Sequence, residues 1–206
     1  MGKHATSIDS QVLDRIHQRG PGWVFTPGDF ADLGSRVAVA VALTRHKKTK
    51  TIRQLARGLY DLPKQDPLIG QLSPSTDALI AALKRHHAIR IQPTGAYAAN
   101  LLGLSTQVPM KLVFLTDGPN RLLYVGKQTL HFKHTTPRQM ATADRISGLV
   151  IQALRYLGSR QVGDTVVAQL RQRLSGDDKQ QLQRDLGYAP RWMLPTIRKL
   201  TDTLAA

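Results

Sequence analysis

Hydrophobic positions fall at helical spacing from the start of the chain. Ile8, Val12 and Ile16 recur every fourth residue, which predicts an amphipathic helix over 7–19. Thr6 or Ser7 can cap it, and Gly20-Pro21-Gly22 stops it. Trp23-Val24-Phe25 reads as a short extended piece. Thr26-Pro27 then offers an N-cap with proline at the first helical position, which predicts a short helix over 27–33. Gly34 breaks that helix, and Ser35 caps another over 36–47. Two β-prone runs, Thr51-Ile52-Arg53-Gln54-Leu55-Ala56 and Leu59-Tyr60-Asp61-Leu62, flank Arg57-Gly58 and read as a hairpin. Pro63 and the polar Lys64-Gln65-Asp66-Pro67 read as a linker.

The remainder reads as a separate α/β domain. A helix is predicted over 75–87, with Leu79, Ile80 and Leu83 on one face. A strand follows over 89–92, then a small-residue helix over 95–104. A strand over 111–115 runs into Thr116-Asp117-Gly118-Pro119-Asn120, a strong turn signal. Runs 122–125 and 129–133 read as a hairpin around Gly126. From 146 onwards the pattern is helical, over 146–157, 165–174, 177–186 and 191–204. Asp177-Asp178 suits a helix start, where negative charge meets the dipole. Trp192 and Met193 are expected to anchor the last helix.

Helix, short strand, short helix, helix and hairpin follow one another in the order of a winged helix-turn-helix. The expected class is α+β: an N-terminal winged helix-turn-helix over 1–63, then a mixed α/β domain over 64–206 with a helical C-terminal part. The helix opening at Ser35 can lie in a DNA major groove, which is wide enough for one helix. The preceding helix braces it, and the hairpin can reach flanking phosphates or the minor groove.

The charge balance agrees with this plan. Of 206 residues, 29 are Lys or Arg and 14 Asp or Glu, a formal +15 that suits a polyanionic partner. Double-stranded DNA leads. An anionic membrane would need a long basic amphipathic helix with an aromatic face, and none is evident. Arg45, Lys47, Lys48, Lys50, Arg53 and Arg57 form a run of basic residues uninterrupted by any acid. They are the candidate phosphate contacts, whose affinity falls steeply with salt. Ser35, Arg36, Ala40, Val41, Thr44 and Arg45 are the candidate groove-facing set, with Ala38, Ala42 and Leu43 towards the core. Arg36 can bond guanine at two points, and Ala40 and Val41 can touch thymine methyls. Val41 faces the groove in one rotation of the helix and the core in another. His46 falls where an apolar residue would pack better.

These residues carry a resemblance. The stretch Gly22-Trp23-Val24-Phe25-Thr26-Pro27-Gly28-Asp29-Phe30, then Ala42-Leu43-Thr44-Arg45, Thr51-Ile52-Arg53 and Arg57-Gly58-Leu59-Tyr60, resembles AbiEi-type antitoxins. A second block is more diagnostic: Pro93-Thr94-Gly95-Ala96-Tyr97-Ala98-Ala99-Asn100-Leu101-Leu102-Gly103-Leu104-Ser105-Thr106-Gln107-Val108-Pro109, with Leu115-Thr116-Asp117-Gly118-Pro119. The resemblance implies a type IV toxin–antitoxin, or abortive-infection, system. Such antitoxins bind inverted repeats in their own promoter and repress the operon, often cooperatively. They counteract a nucleotidyltransferase toxin without a stable complex. Their winged domain serves repression and their C-terminal domain antitoxicity. Whether a monomer binds each half-site or a dimer bridges two stays open. Within residues 64–206, Asn100 either satisfies buried backbone or joins Ser105, Thr106 and Gln107 in an antitoxin surface.

Other chemistry is thinly represented. The chain has no cysteine, so thiolate zinc sites and disulfides are excluded. Among seven histidines, His86-His87 are adjacent on a helix, and His131 and His134 point to opposite sides of a strand. No nucleophile elbow, phosphate loop or zinc motif appears, so no catalytic site, metal or cofactor is expected. The first residues lack the apolar run of a signal peptide, and a cytoplasmic protein is the default. Two alternatives remain: an antitoxin that binds its toxin directly, and a general winged-helix regulator.

Overall fold

The computed structural model describes residues 7–107 and 109–202. The alternative cap Thr6, the loop residue Val108 and the expected helix end at Leu204 lie outside the described residues. The class is α+β. The chain forms two compact units, Met1–Ala88 with Tyr124–Gly126, and Ile89–Leu123 with Lys127–Ala206. Among the described residues no helix is long and apolar enough to cross a membrane.

The first unit opens with α1 (Ile8–Arg19), whose first turn is closed by the Ser7 hydroxyl accepting from the Ser10 amide at 3.2 Å. Strand β1 (Val24–Phe25) leads to a 3-10 turn, Pro27–Phe30. Helix α2 (Arg36–Lys48) starts where the Ser35 hydroxyl accepts from the Ala38 amide, also at 3.2 Å. Each such cap is worth about 1 kcal/mol. Strands β2 (Arg53–Ala56) and β3 (Leu59–Asp61) meet at Arg57-Gly58, where Gly58 takes φ 73°, a value that needs no strain only in glycine. The sheet order is β1-β3-β2, all antiparallel. Val12 and Ile16 from α1 meet Val39, Ala42 and Leu43 from α2 over Phe25, Phe30 and Ile52. This is the winged helix-turn-helix plan.

Three expectations for this unit are corrected. The helix expected over 27–33 is only a four-residue 3-10 turn. The Asp29 carboxylate accepts from the Thr26 amide at 2.8 Å, and Gly34 follows too soon for a further α-turn. The expected linker is a second hairpin, β4 (Gln65–Asp66) with β5 (Gly70–Gln71). Its turn closes on the Asp66 carboxylate, which accepts from the Leu68 and Ile69 amides at 2.9 and 3.1 Å. Those two bonds hold the Asp66 pKa below its ordinary value. Finally, the boundary lies after residue 88, not between 63 and 64. Helix α3 (Thr76–His87) packs on β1, and Arg85 donates to Asp29 at 3.2 Å and to the Val24 carbonyl at 3.0 Å.

The second unit combines a sheet with a helical cluster. Strands β6 (Ile91–Thr94), β7 (Lys111–Thr116), β8 (Arg121–Val125) and β9 (Gln128–His134) are ordered β6-β7-β9-β8. The β8–β9 connection is short, as expected, but β9 inserts beside β7 and runs parallel to it. Phe114 and Phe132 then stack at 5.3 Å across that pair. Helix α4 (Gly95–Leu101) ends three residues before the predicted limit. A short α5 (Pro137–Met140) follows the sheet, a helix too brief for periodicity to reveal. Then come α6 (Ile146–Leu157), α7 (Asp164–Arg173), α8 (Gly176–Arg184) and α9 (Leu194–Thr201). Val150, Leu154, Leu170, Leu182, Ile197 and Leu200 share one core with Ala98 and Ala99. The helix start expected at Asp177-Asp178 is built as a capping box, with Ser175 and Asp178 bonding reciprocally. Met193 is fully buried, but Trp192 is 39% exposed and does not anchor the helix. They are neighbours in a 3-10 turn, where only one can face inward.

Asp185 secures this cluster. Its buried carboxylate accepts from the Ser147 hydroxyl at 2.6 Å, from Gln181 at 2.9 Å and from Arg145 at 2.8 Å. Burial alone would raise its pKa, but the hydrogen bonds and the Arg145 charge outweigh it and leave the net value below ordinary. A folded-state pKa below the unfolded one stabilises the fold above the unfolded value, about 3.9 for Asp. That stability is lost as pH falls through the folded value. Asp185→Asn should therefore destabilise the protein at neutral pH, and the difference from wild type should shrink below about pH 4. Urea unfolding across pH 3–7 would check this. A difference independent of pH would remove the electrostatic account.

Candidate nucleic-acid interface

Only one stripe of α2 is buried. Val39, Ala42, Leu43 and His46 face the core, and Ala38 is half-buried. Arg36, Val37, Ala40, Val41, Thr44, Arg45 and Lys48 line one continuous exposed surface on the other side. The two rotations left open by the pattern are thereby separated, since Val41 is 54% exposed and Val39 1%. Val37, at 73% exposure, belongs to the same surface and was not among the expected residues. Its spacing of four from Val41 and seven from Thr44 is the signal that places it there.

The polar groups on this surface divide by what already holds them. Ser35 is exposed, but its hydroxyl serves the helix cap. The Thr44 hydroxyl donates back to the Ala40 carbonyl at 2.7 Å and keeps acceptor capacity outward. Arg45 lies 3.2 Å from Asp9 and stays 61% exposed. Arg36 and Lys48 are exposed and have no side-chain hydrogen bond or ion pair among the described residues. His46, which looked misplaced, is buried with Nε2 3.4 Å from the Asp9 carbonyl. It joins α2 to the first turn of α1, a link that an apolar side chain could not make.

The hairpin continues the basic surface selectively. Lys47 donates to Gln54 at 3.1 Å, joining the end of α2 to the wing. Lys50 follows α2 with φ 60° and is exposed. A left-handed lysine costs about 1 kcal/mol, so the bend is imposed by its surroundings. Arg57 is exposed at the hairpin tip. Arg53 departs from expectation. It bonds the buried Asp61 at 2.6 and 3.1 Å and the Leu72 carbonyl at 2.8 Å, so it is drawn into the fold and not held out for a phosphate. It sits opposite Asp61 in the β2–β3 register, and a buried carboxylate without its cation would be costly. Arg15 similarly forks onto Asp32 at 2.6 and 2.7 Å, which lowers the Asp32 pKa to about 2 and braces α1 against the turn.

The Asn100 side-chain amide donates to the Ser105 and Gln107 carbonyls, both at 3.1 Å, so it shapes the loop. Thr106 and Gln107 are exposed, and Ser105 is half-buried. The two strand histidines differ. His134 Nδ1 lies 2.9 Å from the Gly118 carbonyl. The pKa of His131 is lowered, first by desolvation and then by Lys111 and Lys133. Nothing is described of the His87 side chain. Among the described residues no three side chains form a cluster suited to a metal.

Comparison with known proteins adds a family and no activity. A family model described as "Family of unknown function (DUF6088)" matches residues 11–182, and the chain belongs to that family. No curated protein matches it. Among solved structures it is similar to "Crystal structure of RV2827C protein from Mycobacterium tuberculosis". The two are 16% identical, the match covers 95% of this chain and 76% of that one, and the TM-score is 0.49.

The two faces of α2 should respond differently to substitution. Val37→Ser and Val41→Ser should each change stability by less than about 0.5 kcal/mol. Val39→Ala should cost roughly 2 kcal/mol. Urea unfolding would measure all three, and similar losses at 39 and 41 would contradict the observed rotation.

Proposed function

We propose that this member of the DUF6088 family is a DNA-binding antitoxin that represses its own toxin–antitoxin operon. The observation that carries the reading is the exposure of a whole face of α2, basic at its edges and apolar along its centre, inside a winged helix-turn-helix. Supporting it are the excess of positive charge and the resemblance of two long sequence blocks to AbiEi-type antitoxins. The partner is double-stranded DNA carrying promoter inverted repeats. The antagonised toxin is of the nucleotidyltransferase class, countered without a stable complex, and the setting is the cytoplasm.

The mechanism follows from widths and charges. A helix about 10–12 Å across enters a major groove about 12 Å wide. Arg36 at the start of α2 then bonds a guanine edge through two donors. Val37, Ala40 and Val41 meet thymine methyl groups, and Thr44 offers an acceptor. Lys48, Lys50 and Arg57 neutralise phosphates, with Arg45 and Lys47 beside them, and the release of counterions supplies salt-dependent affinity. Arg53 acts one step back by holding the wing on Asp61 and Leu72.

A gel shift with the DNA upstream of the gene, titrated with salt, tests this. Arg36→Ala should erode the preference for that DNA over random duplex by roughly 1–3 kcal/mol. Lys50→Ala should weaken both duplexes alike and flatten the salt slope by about 1. Replacing thymine by uracil in the shifted duplex should weaken it further. Equal losses for both duplexes with Arg36→Ala would remove its reading role. A stoichiometric complex with the toxin and no shift at all would favour direct protein binding.

A further inference from the structure

A second site is built into the second unit. Thr136 and Arg138 at the start of α5, Thr142 after it, Gln152 and Arg155 on α6, and Tyr188 line a cavity of about 240 Å³. Gln139 adds a second side-chain amide, and the charged groups of the lining are two guanidiniums. Gln152 is 4% exposed, and its side-chain oxygen is taken by the Thr94 hydroxyl at 2.8 Å. What Gln152 has left for the cavity is its amide NH₂, a donor. Thr142 is also 4% exposed and adds a hydroxyl. Arg138 donates to the Gly187 carbonyl at 3.3 Å, which stations its guanidinium next to the segment carrying Tyr188. Arg155 is exposed at the rim, one turn of α6 beyond Gln152. Among the described residues lining the cavity there is no carboxylate.

Two guanidiniums, a buried amide donor and hydroxyls around an acid-free hollow match the chemistry of a phosphate, which accepts several charge-assisted hydrogen bonds at once. The cavity, about 240 Å³, is smaller than the usual organic-ligand pocket and suits a phosphate and its sugar, with the base left at the mouth. The half-exposed ring of Tyr188 at the mouth offers a face on which a base can stack. We propose that this cavity binds the phosphate of a free mononucleotide, with the base resting on Tyr188. The site is independent of the DNA-binding reading, because none of its residues lies in the winged domain.

Calorimetric titration of the full chain with adenosine 5′-monophosphate, adenosine and inorganic phosphate tests it. The monophosphate should bind, and adenosine should bind at least roughly tenfold more weakly. Arg155→Glu should lower the monophosphate affinity by roughly tenfold or more without moving the thermal unfolding midpoint, since that side chain is exposed. Tyr188→Ala should weaken the nucleotide and leave inorganic phosphate unchanged. Absence of monophosphate binding, unchanged affinity in Arg155→Glu, or equal binding of adenosine would each overturn the proposal. Binding of a 5′-phosphorylated oligonucleotide without the mononucleotide would assign the pocket to a strand end and equally overturn it.

Discussion

The winged unit depends on one asymmetric contact, the seating of a single stripe of α2 against α1. Val39, Ala42 and Leu43 meet Val12 and Ile16, and His46 reaches the Asp9 carbonyl at the far end. Because the stripe is narrow, more than half of the helix surface stays outside the core. A wider apolar face would have buried Val37 and Val41 and left nothing to present. The same contact sets the direction of everything attached to the helix, from the Ser35 cap to the wing that follows Lys50.

Charge is arranged in two tiers around this helix. Cations needed for the fold are matched to carboxylates: Arg15 to Asp32, Arg53 to Asp61, Arg85 to Asp29. Arg36, Lys48, Lys50 and Arg57 have no such match among the described residues and stay exposed. A run of positive residues in sequence therefore mixes two jobs. The net charge of the chain overstates the number of cations available to a partner, because part of it is spent holding hairpins and helices in place.

In the second unit, polar groups rather than apolar periodicity fix the local geometry. Asp185 gathers Ser147, Gln181 and Arg145, Gln152 is pinned by Thr94, and Asn100 shapes the loop after α4. Each is a buried or half-buried polar side chain whose partners lie far away in sequence or across a turn, and an unmatched group there would cost several kcal/mol. The donor-rich cavity beside α6 is a product of the same arrangement.

Local chemistry was legible in the residues themselves. Ser7 and Ser35 announced two helix starts, Arg57-Gly58 a hairpin, and the spacing of Ile8, Val12 and Ile16 a buried stripe, because caps, turns and periodicity act between neighbours. Most of the exposed set on α2 was legible for the same reason, but Val37 was missed and the pattern left Val41 open between two rotations. Other features needed the folded chain. The placing of β9 between β7 and β8, the return of α3 to the winged unit through Arg85, the withdrawal of Arg53 onto Asp61, and the burial of Met193 in place of Trp192 all turn on contacts between distant residues. Such contacts carry no period along the chain, so only tertiary packing decides which of several equally good local choices is kept.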